Sequence, residues 1–278
     1  MDKEELLHPT NDYVFGRIFG YKGNENITKG LLESITNVKY QKVEIASSVA
    51  TIKDLQDDKM GILDVRATAD DNTIFDIEMQ VAKNQNIADR IIWYWSALYH
   101  KSIDSGVDYI KTKKTIAILI ADFKIDILEN IPNFHTSWHI REDEFSKIIL
   151  TEKLELHIIE LSKLAINNDQ LVNQNKLLKW SKFILNPEGG IDMEDEDIKQ
   201  AKKVLEEISQ DAEEQEKARL RDKYVREINS SRNEGYEDGV LEGKLATARN
   251  MLADGCDIKL IMQYTQLPEN EILKLMDE

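Results

Sequence analysis

The 278-residue chain contains a single cysteine, Cys256, which rules out an internal disulfide framework and fits a reducing compartment. It also lacks any run near the ~20 apolar residues that a membrane-spanning helix needs. The longest such run, Thr115–Ala121, is the size of a strand. The opening MDKEELLHPTNDYVF has neither a basic n-region nor an apolar h-region, so no secretory leader and no membrane partner are expected, and the expected location is cytoplasmic. Positive charge is short as well: 36 Lys and Arg stand against 52 Asp and Glu, a formal net charge of −16. That balance works against gripping phosphate backbones through counterion release. It is not a veto, because residues 186–222 alone hold 13 acidic and 6 basic side chains, and a local basic rim with a bound divalent cation still attracts phosphate. What is present, 41% hydrophobic and 32% charged residues, describes a soluble globular chain long enough for one large domain or two modest ones.

Two short amphipathic helices are expected first. Asn11 and Asp12 can cap one that holds Phe15, Ile18 and Phe19, and Asn24 can cap another in which Ile27, Leu31 and Ile35 recur every four residues. Residues 43–50, 62–69, 74–81 and 115–123 read as strands, the second and third flanking the turn-rich Asp70-Asp71-Asn72. Residues 86–104 between them have the length and periodicity of a helix, with Ile87, Ile91, Trp95, Leu98 and Tyr99 near one face. Residues 134–140 and 156–161 read as later strands. After about Leu164 strand signals vanish and helical texture takes over, broken once at Pro187-Glu188-Gly189-Gly190. The layout is mixed α/β, with a domain boundary expected near 165: residues 1–165 form the α/β domain and 166–278 a helical tail.

Parity carries the chemistry. Successive strand residues point to opposite faces. Leu63, Val65, Ala67, Ala69, Phe75, Ile77, Met79 and Val81 are all odd and all apolar, whereas the even positions read Asp64, Arg66, Thr68, Asp76, Glu78 and Gln80, with Ile74 the exception. A three-residue connection over 70–72 sets Asp64 opposite Glu78, with paired numbers summing to 142; a one-residue slip would bury the acids. Facing carboxylates repel unless something positive lies beside them. A hard divalent cation such as Mg²⁺ relieves this and can lower the pKa of a bound water. Gln80, on the same face, can orient that water or a phosphate oxygen. The plainer alternative is a solvated hairpin face on which Arg66 neutralises Asp64 and Glu78.

The order D-(13 residues)-E-x-Q in GILDVRATADDNTIFDIEMQ, the following RIIWYWSALYHKSI and the opening TNDYVFGRIFG resemble, over residues 9–125, the recombination-promoting nuclease / putative transposase family of the PD-(D/E)XK superfamily. The resemblance implies a restriction-endonuclease-like core, a mixed sheet flanked by helices, followed by an all-α region, and Mg²⁺-dependent cleavage of DNA, with Mn²⁺ as the alternative ion. It implies Asp64 and Glu78 as metal ligands and the carbonyl of Met79 as a third. Gln80 stands where the superfamily usually has lysine, as is characteristic of this family; the exchange removes a cation that would stabilise developing negative charge. Arg90 and Tyr94 match its R-x-x-x-Y element, with Arg90 expected on the scissile phosphate and Tyr94 supporting it, the alternative being a structural Arg–carboxylate pair. The chain departs from the family near its start, where Gly16 replaces a frequent lysine and Arg17 follows.

Other candidates read as structural. His135 and His139, four apart in a strand, are ~13 Å from one another. Cys256 reads as a packed thiol, Glu33 as part of an exposed helix face, Asp12 as a cap, and Trp93, Trp95 and Tyr99 as core. In the tail, Leu220, Tyr224 and Ile228, then Gly235, Gly239 and Gly243, recur every four residues, which suggests close approach to another helix and a homo-oligomer. The closing segment has a helix-turn-helix outline, but Glu269, Asn270 and Glu271 open its last helix acidically, which favours packing over base reading. The expected activity is a metal-dependent DNA endonuclease; the alternative is a catalytically inactive oligomeric binding or regulatory protein on the same fold.

Overall fold

The computed structural model describes residues 6–46, 65–81, 86–166, 175–189 and 195–276. Contacts divide the chain into two compact units, the first ending at Asp222 and the second beginning at Lys223. The expected boundary near 165 marks the end of the strands, whereas the division by contacts falls after Asp222.

The first unit opens with α1 (Asp12–Phe19) and α2 (Glu25–Thr36). Asn11 caps α1, its side chain accepting from the N–H groups of Tyr13 at 3.0 Å and Val14 at 3.2 Å. Asp12 does not cap: its carboxylate pairs with Arg221. Asn37 ends α2 in the left-handed conformation, φ 57°. Strands β1 (Val43–Ile45), β2 (Val65–Ala69), β3 (Ile74–Gln80), β4 (Thr115–Ala121), β5 (His135–Trp138) and β6 (Leu154–Glu160) form a six-stranded sheet ordered β1-β2-β3-β4-β6-β5. The pairs β3/β4 and β4/β6 are parallel and the others antiparallel. Helix α3 (Ile87–Lys101) makes the β3-to-β4 crossover that a parallel pair requires.

β4 is buried at every position because helices cover both faces of the sheet there. On one face Ile87 and Ile91 of α3 pack over Ala117, Leu119, Leu156 and Ile158. The opposite face carries Phe75 and Ile77, and α1 and α2 pack against the sheet, as do the later helices α4 (Lys176–Leu185) and α5 (Glu196–Gln210) against α1 and α2. Phe19 and Trp180 meet edge to face at 5.5 Å in that layer.

Helix α6 (Ala212–Ala253) begins in the first unit. In the second unit its end, α7 (Ile258–Thr265) and α8 (Glu269–Met276) enclose a small core of Ala248, Ile261, Leu267 and Ile272. Cys256 packs against this core. Among the described residues, a Cβ added at Gly235, Gly239 or Gly243 would meet nothing within 4 Å, so the glycines serve no close approach inside this chain.

Candidate active site

The hairpin register is the one that parity requires. Val65 faces Ile77, Arg66 faces Asp76, Ala67 faces Phe75 and Thr68 faces Ile74, each pair summing to 142. The N–H of Ala69 donates to the Thr73 carbonyl at 2.9 Å and closes a three-residue loop over 70–72. Asn72 sits in that loop at φ 68°, the left-handed position such loops demand. Asp64, the first expected ligand, lies outside the described residues.

Asp76, Glu78 and Gln80 share the face of β3 toward α3. Because β3 is an interior strand, this face is not a solvated surface: Asp76 is 3% and Glu78 7% exposed. Each acid has acquired a cation. Arg66 Nε donates to Asp76 at 3.3 Å, and Arg90 Nη2 reaches down from α3 to Glu78 Oε1 at 2.5 Å. The expectation that Arg66 neutralises Glu78 is therefore corrected, because Arg66 stands directly opposite Asp76. Asp76 itself was not among the sequence candidates, although its even parity gave it the same face as Glu78.

Gln80 Nε2 donates to the same Oε1 of Glu78 at 2.6 Å, so one carboxylate oxygen holds both donors. Among the described residues no hydrogen bond reaches Oε2. Burial pushes the Glu78 carboxyl up, against the opposing pull of Arg90 and Gln80, and burial likewise pushes Asp76 up against Arg66. A carboxylate whose desolvation outweighs its one cation gains from a second. The Gln80 carbonyl accepts from the Asp122 N–H on the β4 side at 3.0 Å. Strand alternation therefore turns the Met79 carbonyl toward the β2 side, while the Met79 side chain is buried on the opposite face from Glu78.

Arg90 and Tyr94 lie together as their spacing implies, the guanidinium carbon 5.3 Å from the Tyr94 ring centroid. Among the described residues, Arg90 Nε is buried without a hydrogen-bond partner. Trp95 and Tyr99 are half-buried and stacked at 4.8 Å, and Trp95 Nε1 donates to the Thr115 carbonyl at 2.8 Å. Trp93, expected in the core, is 66% exposed. The difference is rotational, since α3 buries the side that carries Ile87 and Ile91.

The remaining candidates have structural partners. Glu33 holds Lys39 at 2.6 Å and caps the Tyr40 N–H at 3.1 Å. Arg17 is tied to Glu214 at 2.6 Å and stacks over Tyr21 at 4.2 Å. His135 and His139 do not meet; His135 Nε2 is 2.9 Å from His157 Nδ1. Among the described residues, no group of three or more His, Cys, Asp or Glu is placed to hold a metal ion. Oxygen donors of the kind a hard cation takes are present at Oε2 of Glu78 and the Met79 carbonyl, so the described part of the site fits such an ion without completing its shell.

A mixed sheet with helices on both faces and an acid on a central strand is the architecture of the PD-(D/E)XK nuclease class. Residues 9–235 match the family described as PD-(D/E)XK nuclease family transposase, and the chain belongs to that family. Its function is therefore nuclease-like or transposase-related. No curated protein and no solved structure matches the chain. Among the described residues no helix is long and apolar enough to cross a membrane.

Proposed function

We propose that the protein is a cytoplasmic endonuclease that hydrolyses DNA phosphodiesters with Mg²⁺, or Mn²⁺ in its place, in recombination or mobile-element movement. The observation that carries this reading is Glu78 on its interior strand, with one oxygen held by Arg90 and Gln80 and the other accepting nothing among the described residues. Asp64, Oε2 of Glu78 and the Met79 carbonyl would be the protein's oxygen donors to the ion. The 142 register of the four neighbouring pairs supports opposing Asp64 to Glu78. When bound there, the ion would supply the Lewis acidity that lowers the pKa of a water and positive charge against the charge that builds on the phosphate. Gln80 orients the attacking water with its amide, and Arg90, whose Nε has no partner among the described residues, donates to a phosphate oxygen beside Tyr94.

The test is plasmid nicking by the full chain. Wild type is expected to nick with Mg²⁺ and lose this with EDTA, and Asp64→Ala and Glu78→Ala to abolish it. Equal nicking by all three proteins would sink the proposal. One observation favours the alternative of a non-cutting oligomeric binding or regulatory protein: Arg90 already neutralises Glu78 as a structural pair would. That reading expects no metal-dependent heat of binding for wild type in calorimetry.

Self-association through the tail belongs to the same proposal. Residues 231–243 of α6 are exposed on nearly every side, with Tyr236 70% accessible, and a bare helix of that kind is marginal without a partner.

A further inference from the structure

Among the described residues, α3 leaves two large apolar side chains uncovered, Ile92 at 53% and Trp93 at 66% exposure, and Trp93 is the aromatic one. With about 100° per residue, Trp93 lies about 60° around the helix from Arg90, on the side away from the buried Ile91. The rise between them is about 4.5 Å. A chain of contacts links the two: Glu78 to Arg90 at 2.5 Å, Arg90 over Tyr94 at 5.3 Å, and Tyr94 edge-on to Trp93 with centroids 5.2 Å apart and planes at 73°. The two rings meet at a steep angle, and the indole stays largely exposed to solvent. The route thus runs from a buried carboxylate, past a buried guanidinium nitrogen with no partner among the described residues, to an exposed aromatic side chain.

We infer that Trp93 is a stacking platform for one unpaired base of a DNA strand whose phosphate lies at Arg90. The inference rests on the nuclease reading of the Glu78 site and adds to it the state of the substrate, a strand with a base face free. Charge favours this occupant over an extended backbone grip. The chain carries a formal net charge of −16, and Asp89, one turn before Trp93, is also exposed, so backbone attraction on this flank is weak. Stacking needs no charge and tolerates any base. The separation of about one helical turn between Arg90 and Trp93 is of the order that separates a phosphate from its own base, so one nucleotide reaches both. A paired base inside a duplex presents no such face.

The test uses the full chain without Mg²⁺, titrated by fluorescence anisotropy with a labelled oligothymidine strand, an abasic strand of equal length and a blunt duplex. Wild type is expected to prefer oligothymidine over the abasic strand by about ten-fold. W93F should keep most of that preference. W93A should lose it and bind both strands as weakly as wild type binds the abasic one, with an unchanged melting temperature, since the residue is exposed. An equal preference in W93A, or wild type that binds the duplex but neither single strand, overturns the stacking role and leaves the nuclease reading standing. Wild type that binds none of the three probes overturns both.

Discussion

Asp12 and Arg221 form a two-pronged pair across 209 residues of chain: Arg221 Nε lies 2.6 Å from Oδ1 and 2.9 Å from Oδ2, and Nη2 also bonds Oδ2. Around it Asn11 Nδ2 donates to the Ala218 carbonyl at 3.1 Å and to Asp222 at 2.7 Å, and Tyr13 donates to Glu214 at 2.8 Å. With the Arg17 bond to Glu214, most polar groups of the TNDYVFGRIFG opening are spent on clasping the start of α6. This motif is a structural clasp.

Arg221→Ala leaves the poorly exposed Asp12 carboxylate without its cation and should destabilise the first unit by about 2–3 kcal/mol. A fall of roughly 5–10 °C in the melting temperature is expected. An unchanged melting curve would mean that the clasp contributes nothing.

The clasp fixes where the tail can be cut. A chain ending at residue 226 keeps every clasp residue through Asp222, and should fold and lose self-association in light scattering. A chain ending at residue 210 should fail to fold cooperatively. An unchanged mass for the 1–226 chain would reject the tail as the oligomer contact.

Arg90 opposes the burial that pushes Glu78 up. In Arg90→Ala the carboxyl should rise further, so metal binding and nicking, which need the anion, should fail at a higher pH as acidity increases. Arg90→Lys should restore part of the range. Rate profiles from pH 5 to 9 check this, and superimposable acid limbs would contradict it.

The His135 imidazole is pushed down to about 4 by burial and by its neighbour His157. The unfolded chain therefore binds this proton first, near the ordinary value of 6.5. Stability from this residue is full above that value and is lost as pH falls toward 4. Glu155 behaves differently: burial would raise it, but hydrogen bonds from His157 and Lys114 hold it at about 2. Its share is lost only below about pH 4.5, as pH falls toward 2. Urea midpoints of wild type should decline through both windows, and His135→Gln should flatten only the upper one.

Asn72 takes φ 68° in the hairpin loop. Asn72→Ala should cost about 1 kcal/mol and Asn72→Gly little. Equal losses for both would show that the side chain, and not the backbone angle, matters.

The alternation of Val65, Ala67, Phe75 and Ile77 with Arg66, Asp76 and Glu78, together with the Asp70–Asn72 turn, determined the hairpin and its register without help from distant chain, because strand period and loop length are local properties. Residues Thr115–Ala121 announced a strand covered on both faces in the same way. Local pattern carried no information on which cation meets which acid. Arg66 belongs to Asp76 and Arg90 to Glu78 because α3 crosses the sheet at one height and rotation, and that is set by the packing of Ile87 and Ile91. The same rotation left Trp93 outside. The partnership of Asp12 with Arg221 was likewise invisible in sequence: the pair is closed by α1, α5 and α6 coming together, and contacts made across 209 residues leave no spacing to read.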